Sequence, residues 1–300
     1  MFSTARIFPF FVGRSARAAN KPEEVYSFFQ RRLSEGYRPL LKEIEIDALS
    51  NTEKNTDVCK VRALFVSDVH LGTRSCRADM ILSFLRKYEA ETLYLIGDII
   101  DGWHLERSWY WPKLHEEVLE TIIDKALRGS RVVYIPGNHD DFLRLSYGKK
   151  ATGIEVVETA IHTTVDGKRF LVMHGDQFDN VIRDVPWLAH VGDVAYDVLT
   201  AANFAYNKVM GALGFEYHSI AATVKASVKH IVNFISKFEK ALVAMGRDKN
   251  VDGVVCGHIH CASIRRIQEM YYVNAGDWVE NCTAVTENAN GTLELIRLTF

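Results

Sequence analysis

The sequence predicts an α/β protein, a two-sheet sandwich interrupted by a long helical block. Three observations carry that reading. Short apolar runs alternate with segments of helical period from Val61 to Ile135. The period falls to two after Gly153, and the stretch Pro186 to Met245 returns to helix before a final series of short strands.

Taken in order, Val61 to Val66 reads as a buried strand and Ala78 to Tyr88 as a helix with apolar residues on one face. Thr92 to Ile96 is a second strand, Leu114 to Leu127 a second amphipathic helix and Arg131 to Ile135 a third strand. Strands that alternate with helices imply right-handed crossovers and a parallel sheet. From Thr163 to Phe170 an Asp166-Gly167 turn joins two strands, so the chain is expected to switch there to antiparallel pairing. Gly211 and Gly214 break the helical block. Val251 to Cys256, Ser263 to Ile267, Tyr271 to Asn274, Thr283 to Thr286 and Leu293 to Leu298 read as strands, with Asn288 to Gly291 as a turn. The helical block, about 184–248, is expected to be a cap inserted into the sandwich. Residues 1–55 are expected to form an N-terminal extension, partly helical or disordered, and residues 56–300 the domain itself.

At 300 residues, 48% hydrophobic and 25% charged, the chain can bury a core without disulfides. Lys and Arg number 36 against 38 Asp and Glu, a net charge of -2, which argues against a nucleic-acid partner. Five scattered cysteines with no Cys-x-x-Cys pair fit reduced thiols and a cytoplasmic location. A bilayer span needs about 20 apolar residues. The nearest candidate, Trp187 to Phe215, carries Asp193, Asp197 and Lys208. The first 22 residues hold Arg6, Arg14, Arg17 and Lys21 and no acid, a bias shared with targeting peptides, but their apolar run Ile7 to Val12 is short and broken by Pro9.

Ligand-type residues recur where strands end, and in α/β sheets the loops beyond the carboxyl ends converge on a crevice. Asp68-Val-His70 follows the first strand, Gly97-Asp98-Ile-Ile-Asp101 the second and Gly137-Asn138-His139-Asp140 the third. Later come Met173-His174-Gly-Asp176 and Cys256-Gly257-His258-Ile-His260. An isolated Asp-x-His is commonplace, and a Gly-Asp pair also serves as a turn or helix cap. Five such clusters in one chain point instead to a metal site. Carboxylate, amide and imidazole donors without thiolate suit Mn2+, Fe or Zn2+ rather than an all-oxygen cage. Asp140, Asp176 and Asp179 read equally as carboxylates that orient metal-binding histidines and as helix caps.

These five blocks, in this order between Asp68 and His260, resemble the calcineurin-like metallophosphoesterase superfamily. The resemblance implies a four-layer α/β/β/α sandwich and a dinuclear centre. It implies that Asp68, His70 and His260 bind one divalent ion, that Asn138, His174 and His258 bind the other, and that Asp98 bridges the two. It further implies attack by a metal-bridging hydroxide, with His139 contacting the phosphate and protonating the leaving oxygen while Asp101 holds its ring.

Gly97-Asp-Ile-Ile-Asp-Gly-Trp103 departs from the Asp-Arg-Gly ending of the protein Ser/Thr phosphatases. Together with Leu93 to Asp98, Val172 to Asp176 and the helical insertion, it resembles the UDP-2,3-diacylglucosamine pyrophosphatases of lipid A synthesis. That resemblance implies Mn2+-dependent release of UMP and a lipid sugar phosphate, with the helical cap accepting the acyl chains; apolar cap residues such as Trp187, Phe204 and Tyr206 offer surface either for those chains or for packing on the sandwich. The lipid A enzymes have Arg where this chain has His139, so a phosphodiesterase of another nucleotide or lipid is the alternative. Arg and aromatic residues of the lead-in, among them Phe28, Phe29, Arg31 and Tyr37, permit peripheral contact at the inner face of the cytoplasmic membrane.

Overall fold

The computed structural model describes residues 58–182 and 220–298. The lead-in 1–55 and the cap residues 183–219 therefore lie outside the described residues, along with the break at Gly211 and Gly214 and the aromatic residues named above. The chain divides into two compact units, residues 1–175 with 251–300, and residues 176–250.

In the first unit β1 (Cys59–Val66), β2 (Tyr88–Ile96) and β3 (Arg131–Ile135) pair in parallel, joined through α1 (Ala78–Lys87) and through α2 (Gly102–Arg107) followed by α3 (Lys113–Leu127). The expected crossover units are all present. β2 begins at Tyr88, directly after α1, and its first residues are only partly buried, which is why the apolar pattern showed it only from Thr92. Beyond β3 a 3-10 turn (Asp141–Ser146), β4 (Lys150–Ala151) and β5 (Ile154–Val156) extend the sheet. These pieces span two to six residues, too short to set up a visible period.

β6 (Ala160–Thr163) and β7 (Arg169–Val172) form the predicted hairpin, with Gly167 at φ 81° in its loop. The expected switch to antiparallel pairing holds only in part. β7 pairs in parallel with β8 (Gly253–Cys256), and β8 in parallel with β10 (Met270–Asn274); only β6 and β9 (Ser263–Ile267) run against their neighbours. Pairing β7 with β8 joins strands about 80 residues apart, a partnership that local patterning does not encode. β11 (Thr283–Glu287) and β12 (Leu293–Arg297) return antiparallel to the first sheet beside β1, giving the order β12-β11-β1-β2-β3-β5-β4 against β6-β7-β8-β10-β9.

Strand alternation decides the layers. Leu64, Val66, Leu93, Leu95, Val132 and Tyr134 face α1 and α3, burying Ile81, Phe84, Leu85, Val118 and Ile122. Ala63, Phe65, Tyr94, Ile96, Val133 and Ile135 face the other way, onto Phe170, Val172, Val255 and Val273 of the second sheet. Phe65 and Tyr94, direct neighbours across β1 and β2, stack at 5.0 Å. Three of the four expected layers are thus seen within this unit, which is an α/β sandwich with both sheets' parallel strands ending in one direction. In the second unit α4 (Ile220–Asp248) carries Phe234 and Phe238, and the latter's ring lies edge-on to Phe178 of the 3-10 turn Asp176–Ile182.

Candidate metal centre

Four of the strand-end loops are locked in two pairs before any side chain acts. Beyond β1 and β2 the parallel pairing continues: Asp68 N–H donates to Gly97 O, His70 N–H to Asp98 O, Leu71 N–H to Ile99 O and Asp101 N–H to Leu71 O. In the second sheet Met173 N–H donates to Val255 O and Gly257 N–H to His174 O. Asp68, His70, Asp98 and Asp101 are therefore fixed on one ribbon, and His174 and His258 on another.

The backbone at these positions is strained. Among the described residues nine non-glycine residues have positive φ, and five are Asp68, His70, Asp98, His258 and His260, at 50–69°. Such conformations cost about 1 kcal/mol or more each and persist where surrounding structure imposes them, which is the habit of functional sites. Two glycines make the close approach possible. A Cβ on Gly137 would lie 2.6 Å from His174 Nε2 and would also overlap Asp98 Oδ1, and a Cβ on Gly97, at φ 68°, would enter the His174 ring.

The side chains of the predicted ligands converge. Asp68, His70 and His260 place one ligand atom each within 4.8 Å of one another, and so do Asp98, His174 and His258. His260 Nε2 is 3.2 Å from Asp68 Oδ1 and His174 Nε2 is 3.3 Å from Asp98 Oδ2. His174 is oriented from behind, with Nδ1 2.9 Å from Ile96 O, and the spare oxygens of Asp68 and Asp98 accept the His258 and His139 N–H groups, each at 2.9 Å. His70 Nε2 and Asn138 Oδ1 are buried with no hydrogen-bond partner. Buried polar atoms are nearly always satisfied, so orphaned donors and acceptors in a cluster of this composition fit a divalent cation.

Burial opposes ionisation of Asp98, but the His174, His70 and His139 imidazoles outweigh it and hold the carboxyl well below the usual range. Asp68 is likewise lowered, against its burial, by His260. His260, which burial alone would push down, is raised to about 9 by Asp68. A proton on His260 would balance the Asp68 carboxylate, and a cation would compete with it for the same atoms.

Asp101 has a divided role. Its Oδ1 caps α2 by accepting His104 N–H at 2.7 Å, while Oδ2 sits 3.2 Å from His70 Nδ1 and 3.1 Å from His139 Nδ1, the latter an ion-pair distance off the ideal hydrogen-bond line. Burial disfavours its ionised form, but the two imidazoles prevail and its carboxyl is held well below the usual range. His139 is raised, its burial outweighed by the Asp101 contact and the Asp98 charge. The Trp103 ring, 43% exposed, lies 4.5 Å from that of His139.

Of the carboxylates with two readings, Asp140 makes no cap bond to the 3-10 turn that follows it; it bonds to the loops on either side of Asp98 and Asn138. Its burial, and next the charge of Asp98, push it up to about 6. Asp176 and Asp179 fall in the second unit. Sequence reasoning missed Asp277, fully buried in the loop after β10. Its Oδ1 accepts the N–H groups of Val279, Glu280 and Asn281 at 2.6–3.2 Å, Asn281 Nδ2 reaches His260 O at 3.3 Å, and Trp278 N–H donates to Asp68 O at 2.9 Å. The signal was present: Gly276-Asp277 after a strand repeats the Gly97-Asp98 pattern.

A family model described as calcineurin-like phosphoesterase matches residues 61–262. The chain is similar to a UDP-2,3-diacylglucosamine hydrolase of Vibrio atlanticus, 23% identical over 212 residues that cover 68% of this chain and 82% of that protein. It is also similar to one of Xanthomonas campestris pv. campestris, 24% identical over 251 residues that cover 76% and 96%. Among solved structures, one described as a novel archaeal phosphodiesterase matches at 12% identity and a TM-score of 0.38, covering 79% of this chain and 99% of that one; a likeness at that level carries no argument.

Proposed function

The chain belongs to the calcineurin-like phosphoesterase family, and on that premise we propose that this metal-dependent phosphoesterase hydrolyses the pyrophosphate of UDP-2,3-diacylglucosamine or a related UDP-sugar lipid at a dinuclear centre. The observation that carries it is the pair of ligand sets meeting at the strand ends, each a buried carboxylate with two imidazoles whose ligand atoms lie within 4.8 Å. Asp68, His70 and His260 would hold one cation, Asn138, His174 and His258 the other, and Asp98 would be shared. Mn2+ is the proposed metal, with Fe and Zn2+ as alternatives suited to the same donors. Bound divalent cations would supply positive charge that offsets the phosphoryl oxygens and lowers the pKa of water.

His139 holds the proton for the leaving oxygen. With Nδ1 turned to Asp101, its Nε2 faces away from that carboxylate, and the Asp101 contact and the Asp98 charge raise the basicity of the ring against its burial. Asp101 also contacts the ring of His70, so one carboxylate orients both a ligand and the acid. His139 is only half-buried, so its ring keeps a face that a leaving group could approach.

The substrate class comes from the two relatives' names, and His139 in place of Arg favours a second reading, a phosphodiesterase acting on another nucleotide or lipid. No helix among the described residues is long and apolar enough to cross a membrane. We place the protein in the cytoplasm, with peripheral contact at the inner membrane face. Residues 1–55 as an extension and about 184–248 as a helical insertion in the domain 56–300 complete the reading. Phosphorus NMR of UDP-2,3-diacylglucosamine with Mn2+-loaded protein tests it, with Asp98→Ala as control. Release of UMP that vanishes in the control supports the lipid substrate; hydrolysis of a simple aryl phosphodiester alone favours the second reading.

A further inference from the structure

Asp140 lies within the third motif but touches neither predicted ligand set. It is fully buried, and its two oxygens serve two different loops. Oδ2 accepts the Ile99 N–H at 2.8 Å and the Tyr134 hydroxyl at 2.6 Å, with the Ile100 N–H at 3.5 Å; Oδ1 accepts the Gly137 N–H at 2.5 Å. Ile99 directly follows Asp98 and Gly137 directly precedes Asn138. One carboxylate therefore bonds to the neighbours of two predicted ligands, the proposed bridge and an amide of one half-site. Gly102 N–H donating to His139 O at 2.9 Å is a second tie between the same loops. Tyr134 anchors the group from β3, with its ring in the core against the helices.

We propose that Asp140 is a positioning residue that fixes Asp98 relative to Asn138, and so decides whether the centre takes up two cations or one. This rests on the dinuclear reading above. The chemistry of the carboxylate is what the place requires. All its partners are donors, two or more backbone N–H groups and a hydroxyl, so a group with acceptors on both ends is needed and an amide cannot replace it. In Asp140→Asn one end becomes an NH2 that faces either Gly137 N–H or the Ile99 N–H and Tyr134 hydroxyl. Donors would then face donors, and one loop must move away. Asn138 would be displaced from Asp98, while Asp98 stays on the ribbon it shares with Asp68 and His70, and that half-site with His260 would keep its arrangement.

The test is cation stoichiometry in the full-length protein, read by calorimetric Mn2+ titration and by electron paramagnetic resonance. The wild type is expected to bind two Mn2+ with the spectrum of an exchange-coupled pair. Asp140→Asn is expected to retain one tight Mn2+, to bind the second about 10- to 100-fold more weakly and to show an isolated-ion spectrum. A variant that binds both ions with wild-type affinity and coupling overturns the proposal, as does equal weakening of both ions. Tyr134→Phe, which removes one of the donors and leaves the carboxylate, keeps the question open to refutation should Asp140→Asn fail to fold. It is expected to weaken the second ion about threefold and leave the first unchanged, and no change in the second counts against the proposal. A wild type that never binds a pair overturns the dinuclear reading itself, which separates that failure from this one.

Discussion

Gly137→Ala isolates the packing that brings Asp98 and His174, two members of one ligand set, close together. Gly137 does not lie in the left-handed region that favours glycine, so the added methyl acts through the space it fills. That space is taken: the Cβ would stand 2.6 Å from both Nε2 and Cδ2 of His174, against about 3.4 Å for a comfortable contact, and would overlap Asp98 Oδ1. Neither neighbour can retreat cheaply. His174 is held by Ile96 O at 2.9 Å with Gly97 pressed against its ring, and Asp98 accepts the His139 N–H at 2.9 Å. Overpacking of this kind costs about 1–3 kcal/mol. If the strain is relieved by turning His174 and Asp98 aside, the same energy appears as an affinity loss of about 5- to 150-fold for the cation they would share. Guanidinium unfolding of metal-free protein reads the first effect and calorimetric Mn2+ titration the second. A Gly137→Ala protein as stable as wild type and with unchanged Mn2+ affinity refutes the argument that this glycine is required for closeness.

Three further outcomes are expected. Glu287, fully buried, accepts from Arg62 at 2.7 Å, from Val165 N–H at 3.0 Å and pairs with His162 at 2.8 Å, tying the first sheet to the hairpin of the second; Glu287→Ala should cost about 3–5 kcal/mol in urea unfolding, and a loss below about 1 would show the network to be idle. His115 is pushed down to about 4 by burial, from the ordinary value of 6.5, and its Nδ1 accepts the Gly72 N–H at 3.0 Å, a bond protonation would break. Between those pH values only the unfolded chain takes up the proton, so stability should fall by about 2–3 kcal/mol as pH drops from 7 to 4.5; His115→Gln should flatten that slope, and parallel slopes would contradict it. His139→Gln should lower kcat by about 10²- to 10⁴-fold on an aryl phosphodiester while Mn2+ affinity stays within a few fold; a matching loss of affinity would make His139 a ligand rather than the acid.

Much of this was legible in the residues because strands, helices and turns write local periods. The five motifs declared themselves by recurring where apolar runs stop, and the structure puts Asp68, His70, Asp98, Asn138, His174, His258 and His260 at those strand ends. Other parts carried no local signal. β4 and β5 are too short to show a period, and the parallel pairing of β7 with β8 joins segments separated by the whole second unit. Asp140 could be read equally as a helix cap, since an Asp before a polar turn looks the same whichever backbone N–H groups its oxygens reach. Asp277 did have a local signal, Gly276-Asp277 after a strand, but its partners are the backbone N–H groups of Val279 to Asn281, which no side-chain pattern marks.

The sequence by itself determined the kind of chemistry: which residue types stand at strand ends, in what order, and therefore a metal-dependent phosphoesterase of the calcineurin-like family. Only the tertiary structure decided how those residues meet. Asp68 receives the His258 N–H from 190 positions away, Glu287 meets Arg62 across 225, and Asp140 spans about 40 residues to hold two loops. Such pairings arise from sheet register and from glycines that clear the way for neighbouring rings. A backbone N–H is the same group in every residue, so no side-chain code announces which carboxylate it will satisfy until the strands have paired.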